Sequence, residues 1–313
     1  MRTFAICAMV LISATAAQAA FSTADGYISR KLYDSAGTYT LLGGLALDDG
    51  ALYFGQGTDI LTLDLDSASV ATVGTVASNV GNALVERHDG VTYTAFGTSL
   101  NSPYPHEMGY LDTGGAFVGQ STIDSLFDAA VSPSGECYIV AAPGGGGSQV
   151  LRYDWATGGM TLVADVGGSS GGLTFDDEGN LYYADQGIFE VRDAAVLKYT
   201  PQQLTAGNLT AADGEAVLDI AAGYMGFDEQ GGFYATTGWG AALSCYDLAV
   251  GEKVCDVAFG GVGQFVWDGD VLYALSSDYG TWSTSVQAIT VPEPTSVALL
   301  LVGSGLLACR RKK

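Results

Sequence analysis

Short apolar strands alternate with turns rich in Asp and Gly through the middle of the chain, and the pattern repeats. The unit reads apolar–x–apolar, then an acidic or polar turn, then Gly–x–apolar–Tyr, and it returns about every 40–50 residues. Leu45–Tyr53 and Leu173–Tyr182 are its clearest copies. Six copies end at marker tyrosines, namely Tyr53, Tyr93, Tyr138, Tyr182, Tyr234 and Tyr273. An alternating strand, a tight turn and a second alternating strand predict a β-hairpin in each copy.

A second pair of strands follows most of these hairpins. Its first strand is recognisable in Ile60–Asp64, Val150–Asp154 and Leu243–Asp247. Two hairpins per unit make a four-stranded sheet, and repeats of this length with four strands are typical of propeller blades. The sequence therefore predicts an all-β fold, a six-bladed β-propeller with four-stranded blades. A seven-bladed ring and a pair of β-sandwiches remain as alternatives.

The two ends of the repeat region indicate how such a ring closes. Arg30–Asp34 matches the second element of the unit, and the strands near the C-terminal end, Phe265–Trp267, Val271–Leu275 and Val286–Val291, lack a fourth partner. We expect a last blade shared between both ends, since an open ring would expose strand edges. The count leaves one strand too many, so that either an N-terminal segment is surplus or one blade is reduced.

The first 19 residues have the layout of a secretory signal peptide. Met1-Arg2 is a short positive region, Phe4–Ile12 is apolar, and Ala17 and Ala19 are small residues suited to cleavage before Ala20. The predicted domains are therefore a signal peptide over 1–19, a propeller over 20–290 and a distinct C-terminal segment over 291–313.

This C-terminal segment has three parts. Pro292, Glu293 and Pro294 precede the apolar run Val297–Ala308, and the chain then closes with the basic cluster Arg310, Arg311, Lys312 and Lys313. As a helix the apolar run would rise about 18 Å, which is short of the roughly 20 residues that a permanent span needs. The basic residues favour the cytoplasmic side of a membrane. We therefore expect a transmembrane helix that anchors the protein only transiently in the inner membrane.

These three parts in this order resemble the PEP-CTERM sorting signal. The resemblance implies processing by an inner-membrane exosortase in a Gram-negative bacterium that makes exopolysaccharide. It implies export through the inner membrane, followed by location at the outer surface or in the extracellular matrix. The repeats resemble, in pattern, the six-bladed gluconolactonase-like and NHL-type propellers.

Charge excludes one class of partner. The chain has 12 Lys and Arg against 34 Asp and Glu, a formal net charge of −22, and five of the basic residues lie in the two terminal segments. A surface this acidic repels nucleic acid, because the basic contacts that neutralise phosphates are missing. We expect no nucleic-acid partner.

The cysteines and the acidic turns give two narrower predictions. Cys245 and Cys255 flank a turn near Val250 symmetrically, and they would face each other across a hairpin, close enough for a disulfide. The Asp pairs in the turns are explained by chain reversal, since a tight turn rarely gathers the 6–8 oxygens that calcium prefers. We predict no cofactor, with calcium left open.

Gluconolactonase-like propellers hold a metal with carboxylate and amide side chains at the inner ends of their blades. The resemblance places Gly44, Asn82, Asp128, Gly172, Tyr224 and Gln264 at these positions. Asn82 and Asp128 are compatible with half of such a site, and the two glycines and Tyr224 leave the other half unfilled. An exported metal-dependent hydrolase, lactonase or lyase that uses Asn82 and Asp128 is therefore the alternative function.

The favoured function is a non-enzymatic binding or scaffold protein associated with exopolysaccharide or another surface protein. No H-E-x-x-H motif or phosphate-binding loop occurs, no catalytic residue is predicted, and His88 is expected to be solvated in a turn. Aromatic side chains in the connections between second and third strands would emerge beside the inner positions, where they could stack on sugar rings. The predicted ligand face contains Asn82, Tyr104, His106, Asp128, Tyr224, Trp239, Gln264 and Trp282. A purely structural matrix protein is a third hypothesis.

Overall fold

The structure, a computed structural model, describes residues 20–35, 42–77, 82–98, 104–145, 147–187, 193–238, 240–278 and 283–290. Within these ranges the chain forms 26 strands in six sheets. Each sheet has four or five strands, which confirms the six-bladed propeller and excludes the seven-bladed and sandwich alternatives. The first two strands, β1 (Ser22–Thr23) and β2 (Ile28–Asp34), join sheets that are formed near the other end of the chain.

Blades one and two each consist of four consecutive antiparallel strands. Blade one contains β3 (Leu42–Asp48), β4 (Ala51–Gln56), β5 (Asp59–Asp64) and β6 (Val70–Thr75). Blade two contains β7 (Asn82–His88), β8 (Val91–Gly97), β9 (Pro105–Leu111) and β10 (Phe117–Asp124).

The chain of blade four contributes one strand to blade three. Blade three contains β11 (Leu126–Val131), β12 (Cys137–Ala141), β13 (Gln149–Tyr153) and β14 (Met160–Asp165). Blade four begins with β15 (Leu173–Phe175), β16 (Leu181–Asp185) and β17 (Ala195–Tyr199), which are followed by α1 (Pro201–Ala206), β18 (Leu209–Thr210) and β19 (Glu215–Leu218). β18 pairs in parallel with β14, so that blade three has a fifth strand, and β19 completes blade four.

A capping box starts the short helix between these strands. The Thr200 hydroxyl accepts a hydrogen bond from the Gln203 backbone N–H at 3.4 Å, and the Gln203 side chain accepts one from the Thr200 backbone N–H at 2.7 Å. Pro201 follows at the first helical position, where its missing N–H has no intrahelical partner to lose.

The ring closes as the sequence predicts. Blade five contains β20 (Ala222–Phe227), β21 (Phe233–Thr237), β22 (Ala242–Asp247) and β23 (Glu252–Phe259). Blade six contains β24 (Val262–Asp268), β25 (Val271–Asp278) and β26 (Ser283–Thr290), and β2 is its outer strand. β1 pairs with β23 as a fifth strand on blade five, which accounts for the strand that the sequence count left over.

The core lies between neighbouring blades, around a channel. The six innermost strands, β3, β7, β11, β15, β20 and β24, contact one another in a closed ring. Apolar side chains from adjacent sheets pack together outside this ring; Val150, Leu181 and Tyr183 are fully buried between blades three and four. Each large apolar side chain buried in this way contributes about 1.5–3 kcal/mol.

The hairpin turns explain the acidic and tyrosine positions of the repeat. In blade four the Asp176 carboxylate accepts hydrogen bonds from the backbone N–H groups of Glu178 (3.1 Å) and Asn180 (2.8 Å). The marker Tyr182 donates its hydroxyl hydrogen bond to the same carboxylate at 3.0 Å. Gly179 takes a φ of 79°, a left-handed conformation that favours glycine. The Asp therefore orders the turn, as predicted, and the tyrosine packs in the core while also bonding that Asp.

No helix in the described part of the chain is long and apolar enough to cross a membrane. The predicted signal peptide, the Pro292-Glu293-Pro294 motif, the apolar run Val297–Ala308 and the basic cluster all lie outside the described residues.

Candidate functional site

A cavity of about 390 Å³ lies in the channel and is lined by the first strand of every blade. It extends to the turns that join first and second strands, where Asp177, Asp228 and Glu229 line it. Its side walls are apolar or aromatic and include Phe175, Phe227, Phe265 and Trp267. The cavity therefore brings together Asp128, Tyr224 and Gln264 of the predicted ligand face, and it extends from them toward the opposite face of the ring.

Asp128 and Gln264 lie in contact within this cavity. Asp128, only 5% exposed, projects from β11 and accepts a hydrogen bond from the Leu173 backbone N–H at 2.9 Å. Its other carboxylate oxygen accepts one from the Gln264 side-chain amide at 3.2 Å. Because blades three and six are opposite each other in the ring, this second bond spans the channel.

Glu86 is a second carboxyl in the same cavity, half-buried, and it is not among the site residues predicted from the sequence. It projects from β7 and has no hydrogen-bond or ion-pair partner among the described residues. It keeps some accessible surface, but that surface belongs to the cavity wall. Burial, together with the charge of Asp128, raises the pKa of Glu86 to about 8.

The pKa of Asp128 is also raised, but its hydrogen-bond partners oppose this change. Burial raises the pKa of Asp128 to about 7, while the hydrogen bonds from Leu173, Gln264 and Ala129 favour the ionised form and act in the other direction. Two carboxyls that titrate near neutrality and share one cavity mark this end of the channel as the candidate site.

The strand register at the predicted inner position differs between blades two and three. Asp128 is the Cα partner of Val140, two residues beyond the marker Tyr138, whereas Asn82 is the partner of Phe96, three beyond Tyr93. An irregularity between Asn82 and Leu84 shifts the ladder, and Leu84 is the residue paired two beyond the marker. Leu84 therefore holds the register position in blade two that Asp128 holds in blade three, and Asn82 as a ligand stays a prediction.

Close packing explains the residues at three other predicted inner positions, Gly44, Gly172 and Tyr224. At Gly172 a Cβ atom would lie 2.4 Å from the Gly223 carbonyl oxygen, and at Gly44 it would lie 2.3 Å from the Val85 nitrogen. Neighbouring first strands approach too closely at both positions for any side chain. Tyr224 is half-buried and stacks on Phe127, with ring centroids 5.5 Å apart.

These donors do not fit the metal that the gluconolactonase-like resemblance implies. Both carboxylate oxygens of Asp128 already accept hydrogen bonds, and the equivalent positions on the other blades offer glycine, leucine and a stacked tyrosine. The described ranges contain no group of three or more His, Cys, Asp and Glu side chains that could hold a metal ion. The alternative of a metal-dependent hydrolase, lactonase or lyase that uses Asn82 and Asp128 stays a prediction.

Tyr104 and His106 lie together before and at the start of β9. Tyr104 is 49% exposed, and the Nδ1 of His106 donates a hydrogen bond to its carbonyl oxygen at 2.9 Å. Burial lowers the pKa of His106, which favours the neutral form of the ring. Trp239 and Trp282, the other predicted aromatics, lie outside the described residues. The ligand face as a whole stays a prediction. Two of its residues, Asp128 and Gln264, are hydrogen-bonded to each other inside the channel.

The other histidine differs from expectation. His88 is half-buried and stacks on Trp155 at 4.8 Å, with the two rings within 14° of parallel. It is packed against blade three, not merely solvated, because the Trp155 side chain reaches it from the turn after β13.

The predicted cysteine pair has the expected register. Cys245 on β22 and Cys255 on β23 are direct Cα partners across the hairpin. The structure carries both as free thiols, and the Tyr27 hydroxyl lies 3.2 Å from the Cys255 sulfur. Burial raises the pKa of Cys245 to about 11. The disulfide itself stays a prediction.

A signal for Glu86 does exist in the repeat. Glu86 pairs with the marker Tyr93, and the residues that pair with the other markers are small or lack a charge. They are Ala46, Ala130, Thr174, Gly226 and Val266. A single carboxyl at a position that is otherwise uncharged points to a local role.

Comparison with known proteins agrees with both parts of the sequence interpretation. Residues 290–313 match the family model described as the PEP-CTERM protein-sorting motif, so the chain carries that motif at its C-terminus. Among curated proteins no significant sequence relative is found.

Solved structures with the same fold are numerous, at low identity. A gluconolactonase from Xanthomonas campestris superposes with a TM-score of 0.63 at 14% identity, covering 84% of this chain and 89% of that one. A PQQ-bound aldose sugar dehydrogenase from Streptomyces coelicolor gives 0.59 at 16%, covering 86% and 99%. The calcium-binding protein regucalcin from Agrobacterium tumefaciens gives 0.58 at 14%, covering 85% and 95%. The protein is thus a six-bladed propeller that resembles gluconolactonase-like structures, and at these identities the likeness shows the fold alone.

Proposed function

We propose that the protein is an exported propeller that works at the cell surface or in the extracellular matrix as a non-enzymatic binding or scaffold protein associated with exopolysaccharide. The observation that carries this proposal is the sorting motif at residues 290–313, which implies export and processing by an exosortase. The signal peptide over residues 1–19 supplies the entry to that route.

The channel supports binding over metal-assisted catalysis. Asp128 and Gln264, which stand where related folds would place ligands, satisfy each other across the channel. A carboxylate whose oxygens are both engaged would have to give up these hydrogen bonds before it could coordinate a metal or a reacting water.

The proposed sugar-binding surface is the face that carries the connections between second and third strands. Tyr104 is the only aromatic side chain among the large exposed apolar residues of the described chain, and its ring is free to stack on a sugar. His106 holds the Tyr104 backbone and offers a neutral ring nitrogen beside it. Trp239 and Trp282 belong to the equivalent connections of blades five and six.

The test measures binding of the full exported chain to the host's own exopolysaccharide. Replacing Tyr104, Trp239 and Trp282 by Ala should weaken binding by about tenfold or more, since each aromatic contact contributes about 0.5–1.5 kcal/mol beyond its buried area. Val250→Ala, at an exposed turn between β22 and β23, is the matched control and should leave binding unchanged. Equal binding by the triple variant and the wild type would show that this face is not the sugar site.

Sorting has its own test. Replacing Pro292, Glu293 and Pro294 by Ala should retain the unprocessed chain in the inner-membrane fraction, detected by its full-length mass. Thr295→Ala is the neighbouring control. Normal release of the triple variant would show that the motif does not direct processing.

A further inference from the structure

We propose that the channel cavity binds an ammonium group, a primary or methylated amine, with the Glu86 carboxylate as its acceptor. This site lies toward the face opposite to the proposed sugar-binding surface. Each of the two proposals can therefore fail without affecting the other.

The first support is the unsatisfied state of Glu86. Its side chain is half-buried, lines the cavity and has no hydrogen-bond or ion-pair partner among the described residues. Burying a carboxylate without a partner is costly, so buried acids are normally paired or hydrogen-bonded. Asp128, in the same cavity, has two such partners, which shows that the fold can supply them where they are needed. A cation in the cavity would supply what Glu86 lacks.

The second support is the sign of the charge along the whole cavity. Asp177, Asp228 and Glu229 border it at the turns, and Glu86 and Asp128 border it inside. Within the described part of the chain no Lys, Arg or His side chain lines it. Arg87, the residue next to Glu86, instead binds Asp48 at 2.9 Å and lies over the Tyr53 ring on the blade-one side. Such a field concentrates cations and excludes anions.

The aromatic walls decide between an organic cation and a metal. Tyr224, Phe227, Phe265 and Trp267 supply ring faces and edges, which attract ammonium groups and offer no ligand atoms to calcium or magnesium. Calcium prefers 6–8 oxygens, whereas the interior offers one free carboxyl and one that is already engaged. An ammonium group needs only one acceptor and an aromatic surround.

Proton exchange gives the proposal a distinctive signature. On blade three Glu86 faces the carboxyl of Asp128, whose charge raises the pKa of Glu86, and the buried thiol of Cys137, whose pKa Glu86 in turn helps to raise. With the pKa of Glu86 near 8, the empty site is protonated at neutral pH, and cation binding must release that proton. Affinity should therefore rise about tenfold between about pH 6 and pH 7 and level off above about pH 8.

The experiment is calorimetric titration of the full chain with cadaverine and with choline, at a series of pH values and in buffers of different ionisation heat. The neutral isostere of choline, 3,3-dimethylbutan-1-ol, is the matched ligand control. A peptide with a single lysine between glycines separates a free amine from a protein side chain as the source of the ammonium group. We expect amine binding with release of about one proton near pH 7 and at least tenfold weaker binding of the neutral isostere.

Glu86→Gln is the decisive variant, and Glu136→Gln, an exposed glutamate outside the cavity, is its control. Glu86→Gln should weaken amine binding about tenfold or more at about pH 8 and reduce the proton release, while thermal melting verifies that it is folded. The proposal is overturned if no amine binds, if the neutral isostere binds equally well, if the folded Glu86→Gln variant binds like wild type, or if calcium binds stoichiometrically at the Glu86 site and displaces the amine.

Discussion

The carboxyl groups of the hairpin turns and those of the channel behave in opposite ways within one acidic protein. In the turn after β13, Asp154 accepts hydrogen bonds from the Thr157 hydroxyl at 2.8 Å and the Ala156 backbone N–H at 2.9 Å, and these bonds lower its pKa. In the channel, burial raises the pKa of Glu86 to about 8 and that of Asp128 to about 7. A net charge of −22 therefore says little about where the chemistry of these acids lies.

The opposite pKa shifts arise because the two groups of carboxyls differ in their contact with water and in their hydrogen-bond donors. A turn carboxylate stays in water and gains N–H and O–H donors that stabilise its charged form. A channel carboxyl loses water, and its nearest charged neighbour is another acid, so that its neutral form is favoured. The turn acids order the hairpins, whereas the channel acids change their protonation state near neutral pH.

The largest expected effect tests the channel side of this comparison. The folded pKa of Glu86 lies above its ordinary value of 4.5, so that the folded protein holds a proton which the unfolded chain releases. The resulting stabilisation is complete below about pH 4.5 and is lost as the pH rises through about 8. We expect Glu86→Gln to raise the free energy of unfolding at about pH 8.5 by about 2–4 kcal/mol relative to wild type, and by much less at about pH 5.

Urea unfolding at the two pH values measures this effect. Glu136→Gln removes an exposed glutamate that pairs with Arg152 at 3.1 Å, and it should change the pH dependence little, because exposed ion pairs contribute at most about 1 kcal/mol. If wild type and Glu86→Gln lose stability in parallel between the two pH values, the Glu86 carboxyl is not the buried titrating group.

A smaller effect separates the two channel acids from each other. Asp128→Ala leaves the Leu173 N–H and the Gln264 amide without an acceptor, which should cost about 2–3 kcal/mol at about pH 6. Asp128→Asn keeps an acceptor for Leu173, and the Gln264 amide can turn to receive the new N–H. We therefore expect the asparagine variant to lose less than about 1 kcal/mol in urea unfolding. Equal losses for the two variants would mean that these hydrogen bonds do not hold the opposite blades together.

The propeller could be predicted from the sequence, because neighbouring residues alone define each repeat. The Asp-Asp-Glu-Gly turn before Tyr182 specifies a hairpin by neighbouring residues alone, and six such copies specify the ring. The shared last blade followed from Arg30–Asp34, which resembles a strand lacking its own hairpin.

The candidate site was harder to predict from the sequence, because its residues are far apart along the chain. The bond between Gln264 and Asp128 joins residues 136 positions apart, and only the diameter of the closed ring determines that they meet. At Asn82 an irregularity shifts the strand register, and the residue types in β7 do not indicate such a shift. Glu86 was passed over because a glutamate near a turn is ordinarily solvated, and its enclosure depends on packing from the other blades.

The smallest effect tests the turn side of the comparison, at Asp176. Asp176→Ala removes the acceptor of the Glu178 and Asn180 backbone N–H groups and of the Tyr182 hydroxyl, and we expect a loss of about 1–2 kcal/mol in urea unfolding. Tyr182→Phe should lose about 0.5–1.5 kcal/mol, and the double variant should lose less than the sum, because the two changes break the same hydrogen bond.

Asp176 orders its turn through hydrogen bonds to backbone N–H groups and the Tyr182 hydroxyl, and we expect the loss at this position to be the same at about pH 6 and about pH 8.5. That constancy is what distinguishes a turn acid from a channel acid, whose contribution to stability changes across this interval. A loss at Asp176 that varied with pH as steeply as the change at Glu86 would remove the distinction between the two populations. The pH dependence of stability at both positions would then arise from the net charge of the whole surface. It would no longer single out the carboxyls of the cavity.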